Sequence, residues 1–122
     1  MEDESPVTKV THAILVSALK KRASAIWIHR VGEQALVEFC IDGVAQVEMQ
    51  PSLKLHELVI RRLSVMASLP SYAKGHVASG AIHLRIGERD AWFELQVRGH
   101  GAELEARLSL ETPEQAAKRN EV

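Results

Sequence analysis

The sequence is poor in the features that most often announce a function. It has one cysteine, Cys40, so no internal disulfide can form, and the reducing environment of the cytoplasm is the expected location. Neither charge is in excess: 15 Lys and Arg stand against 16 Asp and Glu, for a net charge of -1. That balance removes the electrostatic basis for general binding to nucleic acid or to a membrane surface. No apolar run approaches the roughly 20 residues that a bilayer crossing needs, so membrane insertion is not expected. The start, Met1-Glu2-Asp3-Glu4-Ser5-Pro6, is acidic and lacks the apolar stretch of a secretory leader.

Catalytic and cofactor signatures are missing too. The phosphate-loop pattern Gly-x-x-x-x-Gly-Lys-Ser/Thr occurs nowhere in the chain. The histidines, at 12, 29, 56, 76, 83 and 100, form no i, i+4 pair and have no Cys-x-x-Cys beside them, so metal-ligand spacing is absent. Cys40 has no neighbouring histidine in sequence and is expected to be a buried, inert thiol. Glu103 and Glu105 lie two apart on an expected strand, where a solvated edge explains them. No nucleophile, base and orienting group can be assembled, so the expectation is a non-enzyme without cofactor or metal.

What is present is a clear change of period. After an acidic tail over 1–5, expected to be disordered, Val7, Val10, Ala13, Ile14, Leu15, Ala18 and Leu19 recur at three- and four-residue steps, predicting a helix from Pro6 to Arg22. Alternation then predicts strands at Ala25–His29, Gln34–Ile41 and Val44–Gln50, with Asp42-Gly43 as a tight hairpin turn. In the third strand Ala45, Val47 and Met49 share one side. A second helix is predicted over Ser52–Ser68, with Leu55, Leu58, Val59, Leu63 and Met66 facing inward. Strands follow at Ala81–Ile86, Ala91–Val97 and Ala102–Leu110, joined through Gly87–Asp90 and Arg98–Gly101. Thr112-Pro113-Glu114-Gln115 has the form of a helix start, so 111–122 is expected to be a short helix or tail. The fold class is therefore α+β: one domain over 6–110, in the order α-βββ-α-βββ-α, with an antiparallel sheet of about six strands and two helices on one face.

Strand parity assigns the other face. With Ile26, Ile28, Val37, Phe39, Val47, Ile82, Leu84, Phe93, Leu95, Leu104 and Leu108 turned to the helices, the far side is mostly polar, including Gln46, Glu48, His83 and Arg98. It also holds Leu36, Cys40 and both tryptophans, Trp27 and Trp92. Exposed tryptophan anchors interfaces, so Trp27, His29, Leu36, Cys40, Arg85 and Trp92 are the candidate partner-binding residues. Cover by the C-terminal segment is the competing reading of the same face.

From about Val7 to Leu110 the sequence resembles the second N-terminal domain, a PAS-like module, of the type II secretion and type IV pilus assembly ATPases. That family's Ala-Ser-Asp-Ile-His-Ile-Glu is matched by Ala23-Ser24-Ala25-Ile26-Trp27-Ile28-His29. Its Arg-x-Arg-Ile-Asp-Gly-Val is matched by Glu38-Phe39-Cys40-Ile41-Asp42-Gly43-Val44. Its Arg-Ile-Lys-Val-Met-Ala-Gly-Leu is matched by Arg62-Leu63-Ser64-Val65-Met66-Ala67-Ser68-Leu69, and Gly80 keeps the spacing of a later glycine. Departures fall mainly at polar positions: Ala25, Trp27, Glu38, Cys40 and Ser64, while Arg62 and Arg107 remain. The resemblance implies a free-standing, degenerate relative without the motor domain. It would act as a protein-binding adaptor or regulator of a secretion, pilus or motility apparatus, with a foreign protein or a second copy as partner. A small-ligand sensor of PAS-like type and a secretion chaperone are the alternatives.

Overall fold

The structure is a computed structural model that describes residues 6–69 and 77–111. The expected tail over 1–5 and all of the C-terminal segment beyond Glu111 lie outside the described residues. Helix α1 runs Pro6–Lys20 and buries Thr11, Ile14, Leu15 and Ala18. Thr11 was missed by the apolar pattern; its hydroxyl is satisfied by donating to the Val7 carbonyl at 2.8 Å. Helix α2 runs Leu53–Met66, and the Ser52 hydroxyl oxygen caps it by accepting from the Leu55 N–H.

Both helices end in the same way. At α1, Ala23 N–H reaches the Ala18 carbonyl and Arg22 N–H the Leu19 carbonyl, with Arg22 at φ 59°. At α2, Leu69 N–H reaches Ser64 and Ser68 N–H reaches Val65, with Ser68 at φ 56°. This paired bonding satisfies the last carbonyls but needs a left-handed residue, which glycine adopts without strain. It also explains why α1 stops short of the predicted Arg22. Ser68→Gly is expected to raise stability by about 1 kcal/mol, read as a higher urea midpoint at unchanged m-value.

The strands are β1 Ala25–Val31, β2 Gln34–Ile41, β3 Val44–Met49, β4 Ala78–Ile86, β5 Arg89–Arg98 and β6 Glu105–Leu110. They form one antiparallel sheet in the order β3-β2-β1-β6-β5-β4. The chain thus starts at the centre, walks out to one edge, crosses by α2 to the other edge and walks back. The helices pack together over one face. Ile14, Leu15, Val59, Ile60 and Leu63 meet Ile26, Ile28, Phe39, Phe93, Leu95 and Leu108 there. The α+β class, the six strands and the two covering helices are as the periodicity predicts.

Several boundaries differ. The two-residue turn at Asp42-Gly43 pairs Ile41 with Val44 and so places Gln46 opposite Phe39 and Val47 opposite Glu38. A register shift between Val37 and Glu38 then brings Met49 opposite Val37. Opposed residues share a face, so Val47 points away from the helices and Gln46 towards them, the reverse of the faces expected from the sequence. The β4–β5 turn is only Gly87-Glu88, since Ile86 pairs with Arg89. Strand β6 begins at Glu105, because Gly101–Glu103 is a 3-10 turn; Glu103 and Glu105 therefore do not share a strand face. In α2, His56 and Ile60 are buried where Leu55 and Leu58 are only half-buried.

Gly80 has a steric reason. A Cβ there would lie 2.7 Å from Leu69 Cδ2 and 3.0 Å from the Ala67 carbonyl oxygen, so the end of α2 sits directly on β4. His56 is 2% exposed, and its Nε2 donates to the Leu104 carbonyl oxygen at 3.1 Å. Burial, opposed by the Leu104 hydrogen bond and reinforced by the nearby Arg30 charge, lowers its pKa from the ordinary 6.5. The unfolded chain therefore takes up the proton first, so His56 favours folding above pH 6.5 and that contribution is lost as pH falls. His56→Gln is expected to flatten the stability-against-pH curve just below that value, as measured by urea unfolding at a series of pH values.

Candidate functional site

The helix-free face is organised around two ring stacks. Trp27 and His29, neighbours on one side of β1, stack with centroids 3.5 Å apart and planes 5° from parallel. The Trp27 indole N–H donates to Glu105 Oε1 at 2.7 Å, and Arg98 Nε donates to Glu105 Oε2 at 2.5 Å. Arg107 lies over the Trp27 ring, 4.4 Å from its centroid. His29 Nε2 is paired with the Glu38 carboxylate across β1–β2, and Leu36 lies directly opposite His29. His29 is 7% exposed, while Trp27, Leu36, Glu38 and Glu105 are half-buried.

Glu105 holds this cluster together. Burial alone would raise its pKa, but hydrogen bonds from Trp27 and Arg98, with the charges of Arg98 and Arg107, outweigh it and hold the carboxyl below the ordinary glutamate value. A depressed carboxyl contributes stability that is lost only as pH falls through the lowered value, so the cluster is intact at neutral pH.

The second stack lies on the β4–β5 hairpin. His83 and Trp92 are cross-strand partners with centroids 4.4 Å apart and planes 15° from parallel. His83 Nε2 bonds Asp90 Oδ1 at 2.7 Å, and Arg85, opposite Asp90, donates through Nε to the Gly87 carbonyl. Strand order places the two tryptophans two strands and four residues apart, about 16 Å at ordinary strand spacings. They are therefore two anchors and not one cluster. Between them the register lines up the short side chains of Ala81, Ser109, Ala25, Cys40 and Ala45, interrupted by Glu94. Cys40 is a free thiol, half-buried and not fully enclosed as its mid-strand position suggested.

Of the candidate residues, Trp27, His29 and Leu36 come together with one another, and Arg85 and Trp92 belong to the hairpin group. Strand parity places His83 and Arg98 on this face, but that they and Glu38, Glu105 and Arg107 surround the two ring stacks follows only from the structure. The pattern Trp-x-His within one strand was the available signal. Among the described residues no group of three or more His, Cys, Asp and Glu side chains is placed to hold a metal, and no helix is long and apolar enough to cross a membrane.

Four of the positions that depart from the family pattern are neighbours on the sheet, while Ser64 lies on α2. Ala25 is paired with Cys40, and Trp27 with Glu38. The resemblance puts an acid at 29 and an arginine at 38, whereas this chain has His29 and Glu38.

Comparison with known proteins agrees with the resemblance. The family described as "Type II/IV secretion system protein" matches residues 1–99. The Type II secretion system ATPase E of Vibrio cholerae is 36% identical over 109 residues, covering 88% of this chain and 22% of that protein. The Type IV pilus assembly ATPase PilB of Myxococcus xanthus is 38% identical over 85 residues, 70% of this chain and 15% of its own length. The Type II secretion system protein E of Pseudomonas aeruginosa is 34% identical over 89 residues, 73% of this chain and 18% of its own. The chain thus spans about a fifth of the length of such relatives, and on this evidence it belongs to the type II/IV secretion system protein family.

Proposed function

We propose that this domain is a non-catalytic, protein-binding adaptor or regulator of a type II secretion or type IV pilus apparatus, and that it docks through the helix-free face of its sheet. The observation that carries the reading is the spatial grouping of Ala25, Trp27, Glu38 and Cys40 on adjacent strands of that face. Side chains beneath the helices keep the family's apolar pattern, while these outward positions have changed together. At position 27 the change puts an aromatic anchor, held in place by Glu105, Arg107 and His29, where the family pattern has a histidine. A rigid, half-buried tryptophan loses little conformational freedom on binding, which favours interface use. The names of the relatives supply the apparatus. A cytoplasmic setting fits the free Cys40 thiol.

The test compares the wild-type chain with a Trp27→Ala/Trp92→Ala variant as bait for the secretion or pilus components of its own host. The variant is expected to lose the partner while keeping a cooperative thermal transition. Equal recovery by a folded variant would count against the reading.

A further inference from the structure

On the opposite side of the molecule from the tryptophans, α1 and the tip of the β4–β5 hairpin enclose a groove of distinctive chemistry. Its floor is made by Val16 and Leu19 of α1 with Ile86 and Ala91 of the hairpin, all half-buried against the edge of the core. A hole of about 120 Å³ opens between them. A shallower cleft of about 620 Å³ continues from it along α1, past Ser17 and Ala13 to His12 and Lys9. The hairpin creates this space because it is longer than the helices that cover the sheet. Ile86 and Arg89 are register partners at its tip, on the side that faces α1.

Every charged residue lining the hole and the cleft is basic: Lys9, Lys20 and Arg89. Among the described residues none of the three has an ion-pair partner, so each is available to an acidic ligand. Three cations with no ion-pair partner among the described residues thus surround one apolar hole. The hole is slightly smaller than a cavity that accepts benzene, about 150 Å³, so it takes one large side chain and excludes a long acyl chain.

We infer that this groove is a second docking site, separate from the tryptophan face, for an acidic segment of a partner protein that inserts one leucine-sized side chain between α1 and the hairpin. The anchor buries apolar area against Val16, Leu19, Ile86 and Ala91, and acidic residues on either side of it meet Lys9, Lys20 and Arg89. Apolar insertion sets the lifetime of the complex, and the rim charges set its encounter rate and salt sensitivity.

The test uses a fluorescein-labelled probe peptide with one leucine flanked by glutamates, titrated into the full chain and followed by anisotropy and by amide shift mapping. Binding is expected, with shifts centred on Val16, Leu19, Ile86 and Ala91 and with affinity falling as salt rises. Two changes should each weaken it about tenfold or more: the surface variant Lys9→Glu/Lys20→Glu/Arg89→Glu, and Ala91→Leu, which fills the hole. Trp27→Ala should leave it unchanged, which separates this site from the proposed sheet-face function. Equal binding of a leucine-to-alanine or glutamate-to-lysine peptide would overturn the inference, as would shifts at Trp27 and Trp92 or no binding at millimolar peptide. Tighter binding after removal of residues 1–5 would identify the chain's own acidic start as the occupant and would likewise overturn it.

Discussion

Gly99→Ala is expected to destabilise the domain by about 2–4 kcal/mol, more than the same change at any other described glycine. Gly99 has φ 81°, and an added Cβ would sit 2.1 Å from the Glu103 carbonyl oxygen and 2.7 Å from its carbon. Both contacts are backbone, so no side chain can swing aside. The Glu103 backbone is itself tied down, since Glu103 N–H donates to His100 and Leu104 N–H to Gly101. Relief would require opening the 3-10 turn, which delivers Leu104 to the His56 ring and Glu105 to Trp27. Gly43 is the control: its φ is 80°, but nothing lies within 4 Å of its added Cβ. Gly43→Ala should therefore show only the left-handed backbone cost, about 1 kcal/mol. Urea unfolding of the two variants side by side checks this, and equal losses would refute the role given to the β5–β6 crowding.

Trp27→Ala is expected to weaken partner binding by about 2 kcal/mol or more, roughly thirtyfold, at a smaller cost in stability. Trp27 is half-buried, so its removal leaves a shallow trough and no sealed cavity. The internal losses are the His29 stack, the Glu105 hydrogen bond and the Arg107 contact, together about 1–2 kcal/mol. Glu105 keeps Arg98 as a partner, so no buried carboxylate is abandoned. Trp27→Phe separates the contributions, because it keeps an aromatic surface but cannot donate to Glu105. Intermediate binding is expected from it, measured by calorimetry against the partner once captured. Wild-type affinity in Trp27→Ala would remove the tryptophan from the interface.

Most of the architecture was legible because burial follows period. Ile26, Ile28, Phe39, Phe93, Leu95 and Leu108 lie beneath the helices as alternation requires, and Asp42-Gly43 makes the hairpin turn with Asp42 at φ 54°. What escaped was local and non-periodic. Nothing in the sequence announces the register shift at Val37 and Glu38 that brings Met49 opposite Val37, whereas Val47 faces outward simply because the Asp42-Gly43 turn pairs it with Glu38. Thr11 and His56 are buried polar residues whose hydrogen bonds are made to backbone, invisible to an apolar pattern. Parity put Trp27 and Trp92 on one face but could not order the strands, so their separation across β6 followed only from the topology. The network through Glu105 needed the same knowledge, because Glu105 is 78 residues from Trp27 in sequence.

Site-specific photo-crosslinking in the native host tests the central claim most directly. A photoreactive residue at Leu36 lies beside the Trp27–His29 stack, and one at Val65 lies on the exposed side of α2 as control. Covalent adducts with a type II secretion or type IV pilus component are expected from position 36 and not from position 65. Adducts only from position 65, or only with a second copy of the chain, would contradict docking of the apparatus on the sheet face.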